Sequence, residues 1–315
     1  HFFNYLNAVI NAQKNSKTDA QFNDWNKLLT DVIANQKKGD NNDFLKLIEF
    51  SNGFFQQNAL NITAAKMWKV ETSSYSFSYE NNKPKVSFPT TSLLGCVKGD
   101  TLSIQQTAGD YYPLEGKWEG KSGKVDWKRA GIDPGKVYCT FKNYNVSVSN
   151  FNYTVDTVTF YHSDYFKQPL RGKLIDKMVS SADSNSMTYP RFESYDVGMT
   201  IKDLAPNVTY TGGFSMHGNK VIGYGSADEK AQLTFFSRDG KTKIMSARVQ
   251  TLLIKKGEEL GADKAEVSIY FGNDSIYHPQ LNLVYKIPKR EVRLLRGETG
   301  VGKAKFNVSY HNHEF

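Results

Sequence analysis

The chain has 315 residues, 39% of them hydrophobic and 23% charged, which excludes a disordered polymer and allows one large β domain or two ordinary domains. Its net charge of +8 comes from 40 Lys+Arg against 32 Asp+Glu. The basic residues are scattered through KWEGKSGKVDWKRAG and KIPKREVRLLRG rather than drawn into a stripe, which argues against specific nucleic-acid binding and leaves attraction to an anionic lipid or glycan surface open. No run approaches the ~18 apolar residues of a membrane-spanning helix. The sequence opens at His1 without Met and reads as a piece of a longer or processed chain, so a missing leader carries no information.

Residues 1–67 read as a helical segment. In residues 2–12, FFNYLNAVINA, helical spacing gathers Phe2, Leu6, Val9 and Ile10 on one face as the expected core stripe. Residues 22–36 repeat the pattern with Trp25, Leu28, Leu29, Val32 and Ile33, and 16–19 offer a cap. Residues 43–60 read as a third helix, or as a pair broken at Asn52-Gly53. The segment is expected to cap or space the rest, with a docking hairpin as the other reading.

From Trp68 the period changes to two. YSFSY and KVSF read as a hairpin across ENNK at 80–83. Residues 108–135, rich in Gly, Trp and Tyr, read as a wide loop or a set of short strands, and β patterning continues to about residue 166. Alternation lapses in DKMVSSADSN at 176–185, so 68–180 and 181–315 are two β-rich regions, the second either separate from or continuous with the first. In the second region, residues 265–286 alternate on both sides of Gly272-Asn273-Asp274, with Val267 and Ile269 in the core line. A weaker relative lies at 156–170, where Val158 and Phe160 match Val267 and Ile269, and Asp164 and Pro169 match Asp274 and Pro279. The fold class expected is mainly β, an elongated sandwich or solenoid-like stack, with an N-terminal helical segment.

Chemical motifs are thin. GETGVGK at 297–303 fits the start of a phosphate-binding loop, but Ala304 stands where Ser/Thr would hold Mg²⁺ and a strand-like run follows where a helix is needed. His311 and His313 share one side of a strand without a third ligand. Cys96 and Cys139 lack Cys-x-x-Cys spacing, and a disulfide or two buried thiols both fit. No catalytic residue, metal or cofactor is expected. Tyr111, Tyr112, Trp118 and Trp127 lie among Asp110, Glu115, Glu119 and Asp126, the mixture of rings and acids that a glycan groove uses, and a solvated loop edge packed by rings is the plainer reading. Six Asn-x-Ser/Thr triplets, at Asn61, Asn145, Asn152, Asn207, Asn273 and Asn307, suit an Asn- and Ser-rich composition.

Asp followed by Ser/Thr and an aliphatic residue recurs at Thr101, Thr157 and Ser275. The triplet is similar to the O-glycosylation acceptor of exported Bacteroidetes proteins. GKVDWKRAGIDPGKVYCTFKNY, VDTVTFYHSDYF, TYPRFESYDV, YTGGFSMHG and NDSIYHPQLNLVY resemble segments of large uncharacterised proteins of those bacteria, in a likeness scattered over about residues 60–315. The resemblance implies a β-rich piece of a longer chain in the periplasm, on the outer membrane or at the cell surface, and brings no catalytic residues with it. The function expected is a non-enzymatic envelope scaffold, structural or binding, that meets a protein, glycan or lipid surface. The alternatives are a carbohydrate-binding or carbohydrate-active module and a lipid-handling β scaffold.

Overall fold

A computed structural model describes residues 2–16, 18–35, 41–72, 74–180, 184, 186–295 and 307–308. The protein is mainly β, with 21 antiparallel-paired strands and three α-helices among the described residues, the helices at the N-terminus. The chain divides into two compact units, 1–160 with 174–190 and 161–173 with 191–315.

The first unit opens with α1 (Phe2–Asn15), α2 (Asp19–Asn35) and α3 (Asn42–Gln57). Thr18 caps α2, its Oγ1 accepting from the Gln21 amide at 3.2 Å. The core stripe of α2 is Trp25, Leu28, Leu29 and Val32, as its spacing predicts, while Ile33 turns out to solvent. α3 runs unbroken through Gly53, where a Cβ would lie 3.3 Å from the Ile62 side chain of the following strand. α1 corrects the sequence reading. Its buried residues are Ala8 and Ala12, and Phe2, Leu6 and Ile10 face outward with Phe3. Small side chains let α1 lie close to α3, and the bulky face is left outside.

The strands of this unit are β1 (Ala59–Ile62), β2 (Met67–Val70), β3 (Ser76–Glu80), β4 (Lys83–Val97), β5 (Asp100–Tyr112), β6 (Lys117–Asp126), β7 (Val137–Phe141), β8 (Tyr144–Ser147) and the greater part of β9 (Asn152–His162), with the second half of β10 (Leu170–Lys177). β4 joins β2 and β3 to β5, and β6 follows and pairs in tandem with β7 and β8. The predicted hairpin at 80–83 forms: Glu80 faces Lys83 across Asn81 and Asn82, both at positive φ, the conformation a right-twisted two-residue turn requires. α3 covers the inward face of the sheet, with Phe54 edge-on to Tyr75, Phe77 and Phe88 and Phe50 against Tyr111. Full burial of one such ring stabilises by about 1.5–3 kcal/mol.

Residues 108–135 are better ordered than their glycines predict. Gly120 leaves room for the Tyr144 ring, which a Cβ would meet at 2.0 Å, and Gly123 does the same for Phe141. Here glycine is a socket in a strand rather than a turn, so β5 and β6 run long where a wide loop or short strands were expected.

The second unit continues with β11 (Arg191–Ser194), β12 (Met199–Ala205), β13 (Val208–His217), β14 (Lys220–Tyr224), β15 (Ala231–Phe236), β16 (Lys243–Val249), β17 (Thr251–Lys255), β18 (Glu259–Phe271), β19 (Asp274–Lys286), β20 (Glu291–Leu295) and β21 (Asn307–Val308). The long strands pair with shorter ones in tandem. β13 meets β12 and β15 through its first half and β11 and β14 through its second. The change falls at Gly212-Gly213, where the Tyr210 and Tyr224 rings occupy the space of the missing side chains.

β18 and β19 form the hairpin predicted at 265–286, closed by Phe271↔Asp274, although β18 begins as early as Glu259. Val267 is fully buried and Ile269 only half-buried, since burial fades toward the exposed turn. Val158 and Phe160 are buried in β9. The likeness of 156–170 to this hairpin stops at the strands: Asp274 and Pro279 lie within β19, whereas Asp164 and Pro169 lie in the connection before β10.

Candidate functional site

The rings and acids of 110–127 are separated by the pleat. Successive side chains of a strand point to opposite faces, so Tyr111 and Trp118 go inward while Tyr112, Asp110 and Glu119 go outward. Tyr111 donates its hydroxyl to the Leu60 carbonyl at 2.8 Å, and burial raises its pKa. Trp118 lies against Phe88 and donates Nε1–H to the Tyr144 hydroxyl at 3.1 Å. Trp127 is equally buried, edge-on to Phe160. Tyr112 alone of the four is half-exposed. The three indole and phenol faces therefore touch protein rather than solvent, and the acids are paired on the surface: Glu115 with Lys83, Glu119 with Lys117 and Asp110 with Lys121.

A different cluster lies at the far end of the same strands. β5 pairs with β6 from Gln105↔Lys124 to Tyr112↔Lys117, while Asp100–Ile104 pair with β4. A cleft of about 440 Å³ opens beside the start of β5, lined by Thr101, Ser103, Gln105, Asp126, Lys128, Arg129 and Asp176 among others. Arg129 comes from a single 3-10 turn at Lys128–Ala130, set by Gly131 in the left-handed conformation (φ +76°). Its guanidinium forks onto Asp100, Nε to Oδ1 at 2.9 Å and Nη2 to Oδ2 at 2.5 Å. Nη1 reaches Asp176 Oδ1 at 2.7 Å, and Nη2 also donates to the Lys177 carbonyl. The Val179 amide donates to Asp100 and the Lys177 amide to Asp176. The planar fork of Arg fits this bidentate task, which a Lys ammonium cannot reproduce.

The side chain of Asp176 is 1% exposed, and its Oδ2 has no hydrogen-bond partner. Burial raises its pKa above the ordinary carboxylate value of 3.8, and the charge of Arg129 offsets this only in part. Tyr153 and Cys139, close enough to feel the Asp176 charge, are themselves held protonated by burial. A group whose folded pKa is raised stabilises the fold below its unfolded value and loses that contribution as pH rises through the folded one. Asp176→Asn keeps the acceptor for Arg129 and the Lys177 amide and removes the titration. Its stability relative to the parent is expected to rise with pH above about 4, by about 1.4 kcal/mol per unit of pKa shift; urea denaturation across the acid range measures this. A difference flat in pH would contradict it.

Thr101 and Thr157 are exposed and Ser275 is half-exposed. In the first of these triplets the acid, Asp100, is tied into the buried cluster and so is not free on the surface. The sequence reading missed Arg129, Asp100 and Asp176 as a set. The available signal was Asp176 itself: in LRGKLIDKM it stands on the buried line with Leu174 and Met178, where alternation calls for an apolar residue.

The residues 297–303 and both His311 and His313 lie outside the described residues. Among the described residues no three His, Cys, Asp or Glu stand together as a metal site, and no helix is long and apolar enough to cross a membrane. Cys96 and Cys139 are free thiols. In the second unit burial pulls His162 down to about 4, leaving a neutral imidazole packed on Tyr165 and Phe214. No family model, curated protein or solved structure matches the chain.

Proposed function

We propose that the protein is a non-enzymatic binding scaffold of a bacterial cell envelope, in which the sheet of the first unit is the frame and the cleft beside β5 holds a small polar ligand. One observation carries this reading: the cleft of about 440 Å³ beside β5 is lined by hydroxyl, amide and charged groups, those of Thr101, Ser103, Gln105, Asp126, Lys128 and Arg129. The carbohydrate-binding alternative draws on the lining, where the Thr101 and Ser103 hydroxyls, the Gln105 amide and Asp126 supply the hydrogen-bonding types that sugars need. A lipid-handling role draws no support from so polar a cleft. The envelope assignment rests on the Bacteroidetes resemblance and on the exposed Asp156-Thr157 pair.

Saturation-transfer NMR on the purified chain tests the binding role, using monosaccharides, amino sugars, polyols and amino acids as probes. At least one class is expected to receive magnetisation and to lose it in Ser103→Tyr, which puts a ring on the lining of the cleft. Silence from every class, or transfer unchanged in that variant, would overturn the reading. Intact-mass analysis of protein from its own host tests the location: hexose additions on the Asp-Thr or Asp-Ser peptides are expected, and a bare polypeptide would count against export.

A further inference from the structure

α1 has its amphipathic order reversed. Ala8 and Ala12 are its buried residues, while Phe3, Leu6 and Ile10 lie on the opposite side in one line at helical spacing. The contact with α3 is pinned by amides: Asn11 Nδ2 donates to Asn52 Oδ1 at 3.3 Å, and Asn52 Nδ2 to the Asn4 carbonyl at 3.1 Å. The solvent side of a surface helix is ordinarily polar. Here it carries Phe3 at 78% exposure, Phe2 at 67% and Ile10 at 59%. Ile33, 51% exposed, extends the patch onto α2. The patch runs into a groove of about 370 Å³, lined by Phe2 and Tyr5 of α1, Leu29 and Ile33 of α2 and Phe44 of α3. No charged side chain lines it. Bulky apolar side chains gathered on an exposed face mark a surface that another surface covers.

We propose that this helical face is the interface of a symmetric homodimer, in which the Phe3–Leu6–Ile10 ridge of each copy enters the groove of the other. A twofold interface must be self-complementary, and one patch here carries both the ridge and the groove. The area is of the required size. With about 150–250 Å² for a whole aromatic ring, the exposed parts of Phe2, Phe3, Tyr5, Leu6, Ile10 and Ile33 amount to about 600 Å². A standard interface takes about 800 Å² from each partner, and a chance contact less than about 400 Å². The exposed neutral side chains Asn7 and Thr30 add to the rim. Charge agrees with the assignment, because pairing the patch with itself brings no like charges together at its centre.

A lipid surface fits the same face less well. Helices that lie in a membrane interface are rich in Lys and Arg on their polar side. α1 has Lys14 alone, and the three helices together carry three lysines against five acids, although the whole chain has a net charge of +8. An anionic bilayer would therefore draw on other parts of the chain before these helices. A bilayer surface also leaves a groove between helices unfilled, whereas a ridge of side chains enters it.

Sedimentation velocity on the full chain, from about 1 to about 100 μM, tests the proposal. A species of twice the 35.6 kDa chain mass is expected at the upper end, dissociating on dilution. Phe3→Glu and Ile10→Glu are each expected to weaken association at least about tenfold, since each sets a charge at the centre of the interface. Both positions are exposed, Glu is a good helix former, and an acid in the first turn suits the helix dipole, so circular dichroism is expected to match the parent. Phe271→Glu, at an exposed ring of the second unit, is the control and is expected to leave association unchanged. A chain that stays single at about 100 μM would overturn the proposal. So would a dimer that persists unchanged in both folded variants, or one that Phe271→Glu disrupts equally. Co-sedimentation of a single chain with phosphatidylcholine vesicles, lost in Phe3→Glu, would overturn the dimer and give the face to lipid.

Discussion

Arg129→Met is expected to lower the stability of the first unit by about 3–5 kcal/mol at neutral pH, the loss typical of a buried pair stripped of one partner. Methionine fills a similar length but offers no donors. Asp100 keeps only the Val179 amide, Asp176 keeps only the Lys177 amide, and two buried carboxylates are left facing each other. Protonation is their one escape. Without the guanidinium the Asp176 carboxyl rises further, so the variant gains most from acid, and its deficit is expected to shrink as pH falls toward about 4. Adding Asp176→Asn should restore part of the loss at neutral pH, because the removed charge is the one left uncompensated. All four tryptophans, Trp25, Trp68, Trp118 and Trp127, are buried in the first unit, so urea denaturation followed by indole fluorescence reports that unit alone. A loss below about 1 kcal/mol, or one independent of pH, would show that the trio does not hold this edge together.

The fold was largely written in periodicity. Alternation located β4, the first part of β5 and the β18–β19 hairpin, and helical spacing located the helices, because each element buries one side and the pattern records which side. It failed where that rule splits. On α1 the bulky stripe of Phe2, Leu6 and Ile10 is not the packed one, since close approach to α3 selects Ala8 and Ala12 instead. Composition cannot tell a stripe that packs inside from a stripe left outside. In β5 and β6, glycine read as a turn residue is the hole that receives a neighbouring ring, a relation between strands that one strand's sequence does not contain.

The site was less legible, for a related reason. Tyr111 and Asp110 are neighbours in sequence and point to opposite faces of the sheet, so a local mixture of rings and acids was split by the pleat into a core and a surface. Arg129, Asp100 and Asp176 are far apart in sequence and meet only in space. Asp176 was visible singly, as a charge on a buried line, but its partners depend on a 3-10 turn aimed back at the start of β5. The cleft proposed for binding lies beside that meeting point and not on the aromatic stretch that first invites it.

The aromatic stretch makes the second large prediction, and the two readings of Trp118 part on it. As a core residue, Trp118→Ala is expected to cost about 3–5 kcal/mol, the range for removing a large buried ring with incomplete collapse around the space. The geometry explains why collapse is poor. The indole fills the socket above Gly109, where a Cβ would lie 2.8 Å from the ring, and Phe88 lies tilted against it at 5.5 Å. Its Nε1–H also anchors the Tyr144 hydroxyl, which in turn meets Thr107 Oγ1 at 2.7 Å, so the variant leaves a buried network short of a donor. Trp118→Phe keeps most of the volume and drops only the N–H, and is expected to lose less than half as much. As a glycan-stacking residue, Trp118→Ala would instead leave the unfolding midpoint unchanged and abolish sugar binding. Denaturation followed by the three remaining tryptophans, run beside a sugar titration, separates the two: a folded variant of parental stability that no longer binds sugar would return the function to the rings of β5 and β6 and take it away from the cleft beside β5.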